Sequence, residues 1–303
     1  MCRLTNSAAR RFGGGTLAWP AGFGKLCSHR LPTRDSRLPT PACALPTAVC
    51  LLLTAFCLLT TAYGQQPAAA PPTQEPPSRI APAAQELLDR TIRELGGDAF
   101  LRTKSLKTKG RLFAIEEGST SGFAPFESTV EFPDKRRFSY GKGNPVILVN
   151  NGDLGFQLDR YGMVRQPAEQ IRRWKLSMRY GLESLLRQII HEPGILAQDA
   201  GRDFVDNLAT RVIDIMDSQQ VHIRLYVSAK TFLPIQISYR IRNPETQDWD
   251  EFAEIYGEYK TFQGVQTPMQ ITRLRDGERY SEIFRTAAEY NAAYQANYFE
   301  PVR

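Results

Sequence analysis

From Ser105 onward the apolar residues recur at every second position, the period of a strand with one buried and one wet face. Phe126, Ser128, Val130 and Phe132 alternate with Glu127, Thr129 and Glu131. Leu154, Phe156 and Leu158 alternate with Gly155, Gln157 and Asp159. Val221, Ile223, Leu225 and Val227 do so against His222, Arg224 and Tyr226, and Leu233, Ile235, Ile237, Tyr239 and Ile241 against Gln236, Ser238 and Arg240. The dipeptides between such runs, Asn151-Gly152 and Asp276-Gly277, accept the positive φ of a tight hairpin. Asp217–Gln219 and Gln263-Gly264 read as further hairpin turns. The pattern predicts an antiparallel meander of about ten or eleven strands, a number at which a twisted sheet curls or closes.

Two segments carry the helical period instead. Ala83–Leu95 repeats Leu87, Leu88, Thr91, Ile92 and Leu95 and stops at Gly96-Gly97. It reads as a docking helix over one end of the sheet. Ala168–Ile190 aligns Ile171, Trp174, Met178, Leu182, Leu185, Leu186 and Ile189 on one stripe, with Arg172, Arg173, Lys175, Arg179 and Arg187 mainly off it. A stripe of that length has to be buried, and the concave side of the curled sheet is the place for it. The expected fold class is therefore mainly β (α+β): a curled meander with an N-terminal helix and one long inserted amphipathic helix on its concave face.

The amino-terminal part differs in kind. Ala48–Ala62 is an uncharged run, short for a bilayer span of about 20 residues but suited to the apolar core of a secretory signal. Ala62-Tyr63-Gly64 offers small residues where a signal peptidase reads, so cleavage is expected between Gly64 and Gln65. An uncleaved anchor is the alternative. Residues 1–46 are long for a charged leader and lack periodicity, which suggests that translation begins nearer the apolar run. Gln65–Pro82 is a Pro/Ala/Gln tether. The domains are thus 1–64 upstream region and signal, 65–82 linker, and 83–303 one β-rich domain.

That division changes the meaning of the charge. The chain carries 38 Lys and Arg against 32 Asp and Glu, a net of +6. Residues 1–64 hold seven of the basic residues and a single acid, Asp35, which leaves the remainder neutral at 31 of each sign. A general basic footprint for nucleic acid is absent. All five cysteines also precede residue 65, so 65–303 has no disulfide framework, thiolate zinc site or cysteine nucleophile.

Catalytic constellations are weak. His191-Glu192 starts like a zinc-protease motif, but Pro193 follows and no histidine stands four places on. His222 lies on the polar side of a strand. Gly118-Ser119-Thr120-Ser121-Gly122 has Thr where a nucleophile elbow needs Ser, and strands flank it, so it reads as a hairpin loop. Asp248-Trp249-Asp250-Glu251 could recruit a cation or serve as an acid/base pair, although adjacent acids in one loop lack a set separation. Lys135-Arg136-Arg137 reads as a polar strand edge that could also touch an anionic head group. No phosphate loop or dinucleotide fingerprint occurs.

Several segments carry a likeness to a known family: Pro133-Asp134-Lys135-Arg136-Arg137, Asn150-Asn151-Gly152-Asp153-Leu154-Gly155-Phe156, Thr231-Phe232-Leu233-Pro234, and Tyr259 through Pro268 (YKTFQGVQTP). With the order of elements, they resemble the bacterial outer-membrane lipoprotein-sorting proteins of the LolA-like superfamily, over about residues 83–301. The resemblance implies an unclosed β-barrel with helices on its concave face and acyl chains held in that cavity. With no catalytic motif found, the expected protein is a non-enzymatic periplasmic or secreted monomer that binds lipid or lipoprotein acyl chains, without cofactor or metal. Expected lid contacts are Trp174, Met178 and Leu182; expected sheet contacts are Phe132, Phe138 and Phe156. Two other readings stand beside it. One is a cell-envelope protein-interaction module with a filled core; the other is a secreted hydrolase using Asp248 and Asp250.

Overall fold

The computed structural model describes residues 79–244 and 246–301. The expected leader and the junction Gly64/Gln65 lie outside these residues, as does the tether up to residue 78. The end of the tether is structured: Arg79–Ile80 is a two-residue strand (β1), and Pro82 opens the first helix.

After helix α1 (Pro82–Leu95) and the short α2 (Asp98–Leu101), six strands follow in succession. They are β2 (Ser105–Glu116), β3 (Ser119–Glu131), β4 (Lys135–Tyr140), β5 (Val146–Asn151), β6 (Leu154–Asp159) and β7 (Gly162–Arg165). Helices α3 (Ala168–Arg179) and α4 (Leu182–Arg187) and a 3-10 turn, Ile189–His191, then lead to seven more strands. These are β8 (Leu196–Val205), β9 (Leu208–Met216), β10 (His222–Ser228), β11 (Pro234–Arg242), β12 (Trp249–Phe262), β13 (Val265–Arg275) and β14 (Glu278–Tyr290).

All fourteen strands form one sheet, in the order β1-β8-β9-β10-β11-β12-β13-β14-β2-β3-β4-β5-β6-β7. Every pairing is antiparallel except the short parallel one of β1 with β8. β7 and β1 stand at opposite ends, so the sheet is open. The last strand returns to pair with the first long one, β14 against β2. Among the described residues two connections leave the ladder: α1 and α2 carry the chain from β1 at the edge to β2 in the middle, and the helical segment from β7 to β8 runs from one edge of the sheet to the strand beside β1 at the other.

The hairpins form where the dipeptides allow. Asp276-Gly277 (φ 52° and 81°) and Gln263-Gly264 (49° and 82°) place two successive residues at positive φ, as a two-residue hairpin turn requires. Asp206-Asn207 makes an equivalent turn between β8 and β9. Fourteen strands exceed the ten or eleven expected because β1 and β7 are too short to display alternation. β8 also carries mostly exposed, polar residues.

One face of the sheet carries the core. Leu106, Leu112, Phe126, Phe138 and Leu148 from its first half and Ile213, Ile215, Leu225, Ile237 and Ile271 from its second join Leu87, Leu88, Leu185, Leu186 and Ile189 in a single cluster. Strands at both ends of so wide a sheet share one set of helices only if the sheet curls around them. Burying a leucine such as Leu185 or Leu186 contributes about 1.5–3 kcal/mol each.

The stripe expected as one helix over Ala168–Ile190 is interrupted. Gly181 is extended (ψ 160°), and its carbonyl accepts the first hydrogen bond of α4 from the Leu185 N–H, at 2.9 Å. α4 and the 3-10 turn enter the core, with Leu182, Leu185, Leu186, Ile189 and Ile190 buried, whereas α3 buries only Ile171 and Trp174.

The seam between the two halves of the sheet rests on a glycine. The register shifts between Arg285 and Ala287 opposite Gly110 and Lys109, and a Cβ at Gly110 would lie 2.0 Å from the Phe284 carbonyl oxygen. Backbone cannot withdraw from such a contact without parting the ladder. Gly110→Ala is therefore expected to destabilise the fold by about 3 kcal/mol, read as a lower midpoint in urea unfolding. Gly277→Ala, whose added Cβ meets open space, is the control for backbone strain alone.

Candidate functional site

α3 stands at the rim of the sheet, where strand turns converge. Between them lies an open cleft of about 820 Å³. Ile171, Trp174, Leu176, Met178 and Ile189 supply its apolar wall; Asp134, Asp153, Gln166, Gln219 and the cations Arg165, Arg172, Lys175 and Arg179 stand around it. The volume falls in the range of small-molecule sites, roughly 300–1,000 Å³.

Ion pairs hold α3 over the cleft. On one side Lys175 Nζ reaches Asp153 Oδ1 in the β5–β6 turn, at 2.5 Å. On the other, Arg179 donates to Glu192 Oε1 (2.8 Å) and Oε2 (2.7 Å) and to the buried Asp217 Oδ2 (3.0 Å). Asp217 also accepts from the Tyr180 hydroxyl at 3.0 Å and from the N–H groups of Gln219 and Val221 at 2.9 and 2.8 Å. The Arg179 hydrogen bonds hold the Glu192 carboxyl below its ordinary value of 4.5, against a smaller opposing effect of burial.

Behind the cleft wall the core face of the sheet turns polar. The β12–β13 register pairs Glu254 with Arg273, and Arg273 Nε donates to Glu254 Oε1 at 2.8 Å. Arg275 Nη2 donates to Asp250 Oδ1, also at 2.8 Å. Burial opposes the charge on Arg273, yet Glu254 and Tyr280 outweigh it and hold the guanidinium above its usual range. Arg136 of β4 faces the same interior but makes no ion pair among the described residues. Its Nη2 donates to Asn150 Oδ1 at 3.3 Å, and its Nε is buried without an acceptor. Burial, with a smaller effect of the Arg273 charge, lowers the Arg136 guanidinium to about 9. Its guanidinium carbon lies 5.7 Å from the Phe138 ring centre and 5.9 Å from that of Trp174. Buried Trp174 likewise has no acceptor for Nε1 among the described residues.

The residues singled out by sequence distribute as follows. Trp174 and Met178 line the cleft. Leu182 and Phe138 belong to the packed core, where Phe138 stacks on Phe126 at 5.7 Å. Phe132 packs against the edge of that core beneath the Arg187 guanidinium, 5.0 Å away. Phe156 pairs with Val149 rather than Leu148, which puts it on the opposite face of the sheet from Phe138. Asp250 is taken up by Arg275 and by Asn243 Nδ2, while Asp248 is exposed. His222 lies 3.5 Å from Asp214 on the outer face, and His191 is exposed at the end of the 3-10 turn. Among the described residues no cluster of three or more His, Cys, Asp or Glu side chains could hold a metal ion. Arg136 is the residue that the sequence left inside a basic triplet. Strand alternation turns it inward, while Lys135 pairs with Glu131 at 2.6 Å and Arg137 reaches the Tyr298 carbonyl.

No protein-family model matches the chain. No curated protein matches it either. Among solved structures it is similar to a DUF1329 family protein from Desulfovibrio piger, at 11% identity and a TM-score of 0.50, over 72% of this chain and 97% of that one. It is also similar to a putative outer membrane lipoprotein-sorting protein domain from Vibrio parahaemolyticus (8% identity, TM-score 0.44, 72% and 94% covered). A LolA superfamily protein from Nitrosomonas europaea gives 12% identity and a TM-score of 0.41, with 70% and 94% covered. At this identity the likeness to the Desulfovibrio piger protein is one of fold alone, and structures of the family whose resemblance the sequence suggested are among those the chain is similar to.

The Arg179 cluster yields a test. A carboxyl depressed in the folded state contributes stability above its unfolded value and loses it as pH falls through the folded one. Arg179→Met is expected to cost about 3 kcal/mol at pH 7, because it leaves Asp217 buried beside an unanswered charge. The gap from wild type should shrink below about pH 4.5 as Glu192 takes up its proton. Urea unfolding of both proteins from pH 7 to pH 3 measures it; a pH-independent gap would contradict the assignment to Glu192.

Proposed function

We propose that the protein is a non-enzymatic binder of lipid or lipoprotein acyl chains, acting in the periplasm or outside the cell after export. The observation that carries this reading is the open apolar cleft under α3, walled by Ile171, Trp174, Leu176, Met178 and Ile189. Each methylene withdrawn from water contributes about 0.8 kcal/mol. Ten of them would offset roughly 8 kcal/mol of the freedom lost on association. Trp174 and Met178 are the proposed chain contacts. Phe132, Phe138 and Leu182 support them from within or beside the packed core, and Phe156, on the other face, has no part in this reading.

This differs from a hollow barrel under a removable lid. α4 and the strands pack one continuous core, so the proposed ligand lies at the rim, between α3 and the strand turns.

A second reading, a protein-interaction surface, draws on the outer face. Phe113 stacks on Phe123 at 5.9 Å and meets Phe284 edge-on at 5.5 Å, and the Phe123 side chain is largely exposed. Three aromatic rings on a wet face are unusual for a surface with no partner.

Native mass spectrometry of protein purified without detergent tests the first reading. Acyl lipid should co-purify, or added palmitate should bind. Met178→Lys, which puts a charge in the apolar wall, should weaken palmitate binding at least tenfold, while Phe123→Ser should leave it unchanged. Absence of bound lipid together with no response to palmitate would remove the acyl-binding reading.

A further inference from the structure

Arg136 and Trp174 have a feature in common that their packing does not use. Trp174 lines the cleft and Arg136 lies behind it, its guanidinium carbon 5.9 Å from the Trp174 ring centre, and each keeps a buried N–H donor with no acceptor among the described residues. Two such donors close together suit one kind of guest, a group rich in lone pairs and negative charge. A guanidinium partly withdrawn from water without a carboxylate partner is costly, and the fold carries that cost here. The neighbouring arginines differ: Arg273 and Arg275 each have a carboxylate at 2.8 Å.

A chain of hydrogen bonds ties the guanidinium to the cleft lining. Asn150, fully buried, accepts from Arg136 and donates through Nδ2 to Gln166 Oε1 at 2.8 Å. Gln166 lines the cleft and is fixed in turn by donating to the Phe156 carbonyl at 2.9 Å. Gly155 makes this approach feasible. A Cβ there would lie 2.7 Å from Gln166 Oε1, 2.8 Å from Ile171 Cγ1 and 2.9 Å from Asn150 Nδ2. Trp174 meets both: its ring centre lies 5.9 Å from the Arg136 guanidinium carbon, and it lines the cleft.

We propose that Arg136 and the Trp174 indole N–H together bind the anionic oxygen end of an amphiphile, a carboxylate or phosphate ester, whose acyl chain lies in the cleft. This rests on the acyl-binding reading above and narrows it to charged amphiphiles. The guanidinium supplies charge and a planar pair of donors, the indole a neutral donor and an apolar face toward the chain. Arg136 has a cation–π alternative, since the Phe138 and Trp174 rings flank it. That contact accounts for its orientation but leaves Nε and the Trp174 Nε1 unanswered.

The test compares dodecanoate with 1-dodecanol, the same chain without the charge, by isothermal titration calorimetry on the purified protein at pH 7. Dodecanoate should bind at least tenfold tighter. Arg136→Gln should abolish that preference and leave dodecanol affinity unchanged, whereas Arg136→Lys should retain part of it. Trp174→Phe keeps the ring and removes only the N–H donor. It should narrow the preference severalfold, and it keeps the proposal open to refutation should Arg136→Gln not fold. Equal binding of the two amphiphiles by the wild type would overturn the anion site and leave the acyl-binding reading standing. Acetate or inorganic phosphate binding as tightly as dodecanoate would overturn the amphiphile as ligand in favour of a free anion. If none of the four probes binds, both readings fall.

Discussion

The passage of the chain from β7 to β8 is the constraint on which the rest of the structure depends. Apart from the α1–α2 passage from β1 to β2, every other connection joins neighbouring strands, so the long strands could in principle extend as a flat ladder with two raw edges. Residues 166–195 prevent that, because they begin at one edge and end at the other while burying Leu182, Leu185, Leu186, Ile189, Ile190 and Ile195. A segment this apolar draws both halves of the sheet onto itself. The return of β14 to β2 at Gly110 then joins the ladder in its middle rather than at its ends. Openness and curvature follow from the same connection: the edges β1 and β7 stay unpaired while both halves of the sheet pack on α4.

Gly181 divides the labour within that connection. An unbroken helix would have to choose between filling the core and standing at the rim. The extended residue lets α4 do the first and α3 the second. The consequence is visible in what holds each piece. α4 is fixed by leucines with essentially no exposure; α3 is fixed largely by Lys175–Asp153 and by the Arg179–Glu192–Asp217 cluster, with Trp174 and Ile171 as its apolar anchors. Charged contacts of this kind are directional and are lost by protonation or exchange, whereas buried leucines are not.

Much of this was legible from residue order alone. Period-two runs and Gly-containing dipeptides predicted the meander, and the Gly96-Gly97 stop placed the end of α1. Two features escaped for physical reasons. A helical stripe is read from apolar spacing, and Gly181 falls between stripe positions Met178 and Leu182, so the spacing stays intact across a real break. In β6, the apolar set Leu154, Phe156 and Leu158 lies on the face away from the main core, with Leu158 buried there and Leu154 half exposed. Alternation reports that two faces differ, not which one meets the helices. The candidate site suffered more. Its apolar members Trp174 and Met178 stood out, but Arg136 was hidden between two basic neighbours whose side chains serve the outer face and the strand edge. Only the β3–β4 register separates them.

A packed core and a binding site are compatible here because they occupy different depths of the same curled sheet. Were the ligand to lie beneath α4, binding would require expelling leucines that each contribute about 1.5–3 kcal/mol, and the fold would resist its own function. At the rim the demand is smaller: the cleft is already open, and its wall contains a charge that the protein leaves uncompensated. A hydrophobic residue at 136 would pack between Phe138 and Trp174 at lower cost than a guanidinium does. The excess cost is comprehensible if the charge is answered by something other than the protein. The same reasoning separates the two faces of the sheet. The outer aromatics Phe113, Phe123 and Phe284 carry no such electrostatic debt and would suit any apolar partner, whereas the interior arginine discriminates by charge. Specificity, on this account, is located in the least favourable contact of the wall.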